Sequence, residues 1–181
     1  MPEVKKEVLV HRKDISEKVQ ELGEKISEDY KNIMAPGESL VIISLLKGAL
    51  PFTADLMRAI QVPVRLELLV ASSYGDGTQS TRQVHVRYQS FEELEGNHIL
   101  IVDDITDSGH TMKAIGSLIE SYRPKDLKLC SFLNKPSRRE VDLEIDYIGF
   151  DIPDEFVVGY GLDFAGNYRE LPDICVIREG V

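Results

Sequence analysis

The stretch ILIVDDITDSGHTM, residues 99–112, runs four apolar residues straight into two adjacent acids, Asp103 and Asp104. A third acid, Asp107, follows, and then Ser108, Gly109, His110 and Thr111. A continuous apolar run is the mark of a strand buried on both faces. The small residues after it read as a turn, and HTMKAIGSLIESY (110–122), stopped by Pro124, reads as a helix.

The same grammar recurs on either side. SLVIISLL (39–46) is a second buried strand, followed by a helix in ALPFTADLMRAI (49–60) with Pro51 in its first turn. VPVRLELLVA (62–71) and DLKLCSFLNK (126–135) read as further strands, and VDLEIDYIGFDI (141–152) and DICVIRE (173–179) as later ones. QVHVRYQ (83–89) alternates and fits an edge or hairpin strand, while SSYGDGTQSTR (72–82) has no apolar period and reads as a mobile loop. Near the start, apolar residues at 15, 19, 22, 26, 30 and 33 keep a helical period, and Asp14 with Glu17 forms a capping box. The alternation of strands and helices predicts an α/β fold, a twisted, mainly parallel sheet flanked by helices. Ligands of such sheets bind at the carboxyl ends of the strands. Loops 47–50, 103–111 and about 135–138 gather there.

Composition narrows the function. The 181 residues suit a single domain, and no apolar run approaches the length of a membrane span. The opening MPEVKKEVLVHRKD lacks the long apolar segment of a secretory signal. The net charge of −10 argues against a nucleic-acid partner, which needs a basic footprint. Cys130 and Cys175 lie far apart in apolar runs, read as buried free thiols, and point to the cytoplasm.

What chemistry needs acids beside such a turn? The first N–H groups of a helix are unpaired, and its dipole favours an anion. Thr106, Ser108 and Thr111 add hydroxyls, and Gly109 lets the backbone come close. Asp103 and Asp104 offer acceptors to sugar hydroxyls and a binding place for Mg²⁺. The loop reads as a phosphate cradle beside a hydroxyl-acceptor pair, which a sugar phosphate fits. The plain alternative is that Asp104 or Asp107 caps the helix and Gly109 serves only the turn.

ILIVDDITDSGHT resembles the phosphoribosyl pyrophosphate motif of the type I phosphoribosyltransferases. LLKGALPF (45–52) is similar to the family's pyrophosphate loop, SSYGDGTQST to its flexible loop, and VGYGLDFAGNYRELPDICVI (158–177) to the C-terminal segment of its hypoxanthine-guanine branch. The resemblance covers nearly the whole chain. It implies a single domain over 1–181 with a small hood subdomain built by the N-terminal segment and parts of the C-terminal region.

The resemblance implies transfer of a phosphoribosyl group from phosphoribosyl pyrophosphate to a 6-oxopurine, hypoxanthine or guanine, with Mg²⁺ as cofactor. Asp103 and Asp104 then bind the ribose hydroxyls, Thr106 through Thr111, with His110 among them, cradle the 5-phosphate, and Ile105 belongs to the same phosphoribosyl pyrophosphate-binding stretch. Asp107 falls at the general acid/base. Lys47, Gly48 and Arg169 meet the pyrophosphate, with a non-proline cis peptide implied at Leu46–Lys47. Asp103, Asp104 and Asp163 are the metal's carboxylates, Asp163 lying also beside the purine. Lys135 donates to the purine 6-oxo group, Phe156 stacks on the ring, and Val157 lends backbone groups to its edge. Ser73 and Tyr74 belong to the loop that closes over the reacting centre.

Without the resemblance, Lys47 is a solvated lysine, Arg169 a surface ion-pair partner, Asp163 a turn residue and Phe156 core. Two letters depart from the family: Asp103 stands where this branch usually has Glu, and Ala49 where many relatives have a second Gly. The implied assembly is a homodimer or homotetramer. The alternatives are a phosphoribosyltransferase for xanthine or another base, and a non-catalytic nucleotide-sensing regulator.

Overall fold

A computed structural model describes residues 5–73, 84–91 and 93–178. Chain order gives β1 (Lys5–Val10), α1 (Arg12–Lys31), β2 (Leu40–Leu46), α2 (Leu50–Ala59), β3 (Val64–Ser73), β4 (Val84–Gln89) and β5 (His98–Thr106). Then come α3 (His110–Glu120), β6 (Asp126–Asn134), a 3₁₀ turn (Pro136–Arg138), β7 (Tyr147–Asp151), β8 (Val157–Val158) and β9 (Ile174–Arg178).

Six strands form one sheet in the order β4-β3-β2-β5-β6-β7. All neighbours pair in parallel except the edge strand β4, which is antiparallel to β3. The apolar runs at the centre have no polar alternation because both faces are covered. Leu40, Ile42, Leu100 and Val102 pack with Ile26, Tyr30, Phe52 and Leu56 on the side of α1 and α2. Their neighbours in sequence, Val41, Ile43, Ile99 and Ile101, pack with Met112, Ile115 and Ile119 of α3 on the other. The two-residue period of a strand thus divides each run between two cores. Each such side chain, fully buried, contributes roughly 1.5–3 kcal/mol.

The opposite end of the sheet from the loops is tied by polar groups. Buried His98, at the start of β5, sits between Asp126 and Glu38, and Lys125 pairs with Glu38 at 2.8 Å.

A second, three-stranded antiparallel sheet, β1-β9-β8, joins the two ends of the chain. Strand β1 has no counterpart in the sequence reading, since VKKEVLV carries its pairing signal in β9, far along the chain.

Three expectations need correction. Helix α1 begins at Arg12, so Asp14 lies inside the first turn and forms no capping box. Its cap comes from elsewhere: Asp173 Oδ1 accepts the Arg12 N–H at 2.7 Å, and Glu17 pairs instead with Lys13. Ile33 lies beyond the end of α1 and is exposed, unlike the other periodic positions. In 141–152 only Tyr147–Asp151 is strand. Leu143 and Ile145 alternate because they pack on the α3 side, and the Asp146 carboxylate, rather than a strand partner, takes the Leu129 N–H at 2.8 Å.

Candidate functional site

The three loops expected at the carboxyl ends of the strands do converge. Leu45 to Gly48, Asp103, Asp104, Thr111, Ile115, Asp163 and Arg169 line one cavity of about 240 Å³. Asp103, Ile105 to Gly109, Thr111 and Met112 line an adjoining hollow of about 130 Å³. Asp103 and Thr111 belong to both.

The first wall is the loop after β2. The Leu46–Lys47 peptide is cis, and Lys47 is exposed. Gly48 is buried, and a β-carbon there would collide with the Asp104 carboxylate. Gly161, at φ 101°, presses on the Gly48 carbonyl in the same way, so only glycine meets both the space and the backbone angle. Ser44 and Thr53 share a hydroxyl hydrogen bond of 2.8 Å that fixes the following helix on its strand.

The second wall is the end of β5. The strand runs on through Asp103 and Asp104 to Thr106, and both acids line the larger cavity. The Asp104 N–H donates to Asp103 Oδ1 at 3.0 Å. Burial, and after it the Asp104 charge, holds the Asp103 carboxyl well above the usual carboxylate range. Burial also raises Asp104, against the opposing side-chain hydrogen bond with Asp103, backbone N–H groups and, last, the charge of Arg169.

The cradle follows. Gly109, at φ 87°, precedes α3, and a side chain there would meet Arg139 Nη1 at 2.7 Å. The Ser108 carbonyl accepts the Glu140 N–H, and the Thr106 carbonyl accepts the Lys135 N–H, both at 3.0 Å. These bonds lock the cradle to the segment after β6. The Thr106 hydroxyl, read from the sequence as available to an anion, is buried and donates to Ser131 at 2.7 Å. His110 pairs with Glu140 at 3.1 Å at the start of α3.

Asp163 and Arg169 come from the arm leading to β9. Arg169 Nη2 lies 2.6 Å from Asp163 Oδ1, and its Nη1 donates to the Gly161 carbonyl at 2.5 Å. Gly166 N–H donates to the other Asp163 oxygen at 2.7 Å. Arg169 is thus the ion-pair partner that the plain alternative has it to be, and its partner Asp163 lines the same cavity.

A third cluster lies beyond the cradle. Lys135 is buried at the end of β6, with Nζ 3.7 Å from Asp154. Two residues after Asp154, Phe156 is 53% exposed, which removes it from the core, and it meets Phe164 edge-on at 5.5 Å. Val157 is buried opposite Val176. Asp107 receives Arg138 Nε at 3.1 Å.

The sequence reading missed Arg138, Arg139, Asp154 and Phe164. The one signal was the pair of arginines in KPSRRE, directly after Lys135. Ser73 ends β3, and Tyr74 lies outside the described residues. Among the described residues no helix is long and apolar enough to cross a membrane, and no group of three or more His, Cys, Asp or Glu is poised to hold a metal unaided.

A parallel sheet with an acidic pair at the end of its central strand, a small-residue cradle, and a glycine loop facing them defines a class of phosphoribosyl-handling folds. The family model described as "Phosphoribosyl transferase domain" matches residues 9–165, and the chain belongs to that family. It is 45% identical over 166 residues to the hypoxanthine phosphoribosyltransferase of Salmonella typhimurium, covering 92% of each chain. It is 42% identical to the hypoxanthine-guanine phosphoribosyltransferase of Mycobacterium tuberculosis over 92% of this chain and 83% of that one. Among solved structures, a hypoxanthine-guanine phosphoribosyltransferase from Bacillus anthracis superposes with a TM-score of 0.88, at 41% identity, over 97% of this chain and all of that one. A hypoxanthine phosphoribosyltransferase of Trypanosoma cruzi gives 0.90 at 40% identity, over 95% and 91%.

Proposed function

We propose that this chain transfers the 5-phosphoribosyl group of phosphoribosyl pyrophosphate to a 6-oxopurine, hypoxanthine or guanine, releasing pyrophosphate and the purine 5′-monophosphate, a salvage reaction. One observation carries the reading. The acidic pair Asp103–Asp104, the Gly48 loop and the Asp163–Arg169 pair line a single cavity, and Asp103 and Thr111 continue into the adjoining cradle. The names borne by the relatives agree with it and do not favour a non-catalytic regulator.

In this reading Asp103 and Asp104 accept hydrogen bonds from the ribose hydroxyls. The N–H groups around Asp107 to Thr111, at the start of α3, hold the 5-phosphate. Lys47, the Gly48 backbone and Arg169 receive the pyrophosphate, Arg169 through its fork of donors. The purine nitrogen's electron pair forms the bond to the sugar carbon as the carbon–oxygen bond to pyrophosphate breaks and leaves its pair on the departing oxygen. Asp107 takes the proton that the purine gives up. Lys135 donates to the 6-oxo group, and adenine, with an amine there, offers no such acceptor. Phe156 stacks on the ring, and Val157 and Asp163 border it. Ser73 and Tyr74 would help close the site against water.

The donor set suits Mg²⁺. It is all oxygen, and the raised Asp103 and Asp104 carboxyls have their anionic forms favoured by a cation. Asp163, already engaged by Arg169 and Gly166, would reach it by a remaining lone pair or through water. When bound, Mg²⁺ offsets negative charge on the pyrophosphate.

We also propose that the protein works as a homodimer or homotetramer in the cytoplasm, as one unit in which both sheets build the site. Leu66 on β3 and Val86 on the edge strand β4 are exposed apolar residues that suit a contact between copies, and both cysteines are buried and free. Chromatography of the products formed from phosphoribosyl pyrophosphate, Mg²⁺ and either oxopurine tests the reaction. The expected product is the 5′-monophosphate, and its absence with folded protein would refute the proposal.

A further inference from the structure

Four side chains near the base cluster form a chain of alternating charge. Asp107 Oδ1 receives Arg138 Nε at 3.1 Å, Arg138 Nη1 lies 3.7 Å from Asp154 Oδ2, and Lys135 Nζ lies 3.7 Å from Asp154 Oδ1. The two ends of this chain are the residues read above as the proton acceptor and as the recogniser of the purine 6-oxo group. The middle two, Arg138 and Asp154, have no role in that reading.

The Asp107 contact is an obstacle as it stands. A carboxylate oxygen occupied by a guanidinium N–H is poorly placed to take a proton from a base. Asp154 shares its two oxygens between two cations. If a 6-oxo group draws off Lys135 Nζ, Asp154 keeps Arg138 as its counter-ion, and the pull on Arg138 away from Asp107 increases. Asp107 first, then Asp154 and, less, Glu140 raise the Arg138 pKa, and of these Asp107 and Asp154 are the two carboxylates within 4 Å of its guanidinium.

We propose that Arg138 and Asp154 are positioning residues that couple recognition of the 6-oxo group at Lys135 to the freeing of Asp107 for proton transfer. The proposal rests on the assignments of Asp107 and Lys135 made above. Arg138 holds Asp107 in reserve while the base site is empty. Asp154 withdraws Arg138 when Lys135 turns to its ligand. A base without a 6-oxo acceptor leaves Lys135 on Asp154 and Arg138 on Asp107, so the relay adds to specificity through turnover as well as through binding.

The test is a double-mutant cycle in steady-state kinetics with hypoxanthine. Arg138 and Asp154 side chains are 51% and 52% exposed, so Arg138→Gln and Asp154→Asn should fold, which a thermal melt checks. Asp154→Asn alone should lower kcat by about tenfold, or about 1.4 kcal/mol, without raising KM for hypoxanthine, because Arg138 then stays on Asp107. In the Arg138→Gln background the same change should alter kcat by less than about twofold, since no guanidinium is left to withdraw. Arg138→Lys, which keeps the cation, should restore sensitivity to Asp154→Asn. Equal tenfold effects in both backgrounds would overturn the relay, as would a rise in KM with kcat unchanged, which would make Asp154 a binding residue only. Asp107→Asn separates the two failures. If it leaves turnover intact, the reading of Asp107 falls and the relay with it; if it abolishes turnover while the effects remain additive, the relay alone falls.

Discussion

Gly48 and Asp104 touch so closely that any side chain at residue 48 would collide with the Asp104 carboxylate. The loop after β2 is thereby moulded on an acid at the end of β5, and Gly161 is pressed on the Gly48 carbonyl. Gly48→Ala must push Asp104 aside or lift the loop. Residue 48 has no special backbone angle to lose, so the variant should fold with little change in melting temperature. Its kcat/KM for phosphoribosyl pyrophosphate should fall on the order of 10²-fold, the usual consequence of a misplacement of about 1 Å. A kinetically normal Gly48→Ala protein would contradict the role given to this contact.

Asp107→Asn keeps the size of the side chain and removes its capacity to take a proton. Turnover should drop by a factor on the order of 10²–10⁴. Calorimetric binding of the sugar phosphate should survive, because the cradle uses backbone groups. Retained turnover would remove Asp107 from the proton-transfer step.

Asp103 presents a conflict between stability and function. Its folded carboxyl is held above the ordinary aspartate range by burial and by Asp104, so ionisation penalises the fold. The penalty is absent below the unfolded value near 3.9 and grows as pH rises through the folded value. Asp103→Asn should therefore be more stable than the parent at pH 7 in metal-free buffer. The advantage should vanish as pH approaches about 4. The same variant should be impaired in phosphoribosyl pyrophosphate binding. Denaturant melts at both pH values check the sign, and a destabilised variant at neutral pH would reverse the argument.

Glu38 lies at the far end of the sheet and behaves oppositely. Its hydrogen bond from Lys125, with others from the Ala35 amide and His98, lowers its pKa from 4.5 to about 2. A depressed carboxylate stabilises above its unfolded pKa and loses that contribution as pH falls towards the folded value. Melting temperature of the parent should therefore fall between about pH 4.5 and 2 relative to Glu38→Gln, so that the two curves converge in acid. Parallel curves would show that this cluster carries no pH dependence.

The centre of the sheet and the phosphate cradle were legible because their information is local. The run ILIV is buried on two faces, and the helix after Gly109 begins where the small residues end, so a short window holds the whole signal. The parts that were not legible depend on partners far along the chain. The cap of α1 is Asp173, 161 residues from Arg12, which no local capping pattern can reveal. Strand β1 exists because β9 pairs with it, and β8 is only two residues long. The Thr106 hydroxyl looked available to a phosphate until Ser131, on the neighbouring strand, took it. Arg138 carried a positive charge in a predicted loop, but only the fold brings it within 3.1 Å of Asp107.

The central claim is that this site moves a phosphoribosyl group to a purine bearing a 6-oxo group, and pyrophosphate release measures it most directly. The folded protein with Mg²⁺ and phosphoribosyl pyrophosphate should release pyrophosphate with hypoxanthine or guanine, and far less with adenine, with xanthine included to rank the oxopurines. Release with adenine equal to that with hypoxanthine, or none with any oxopurine, would contradict it.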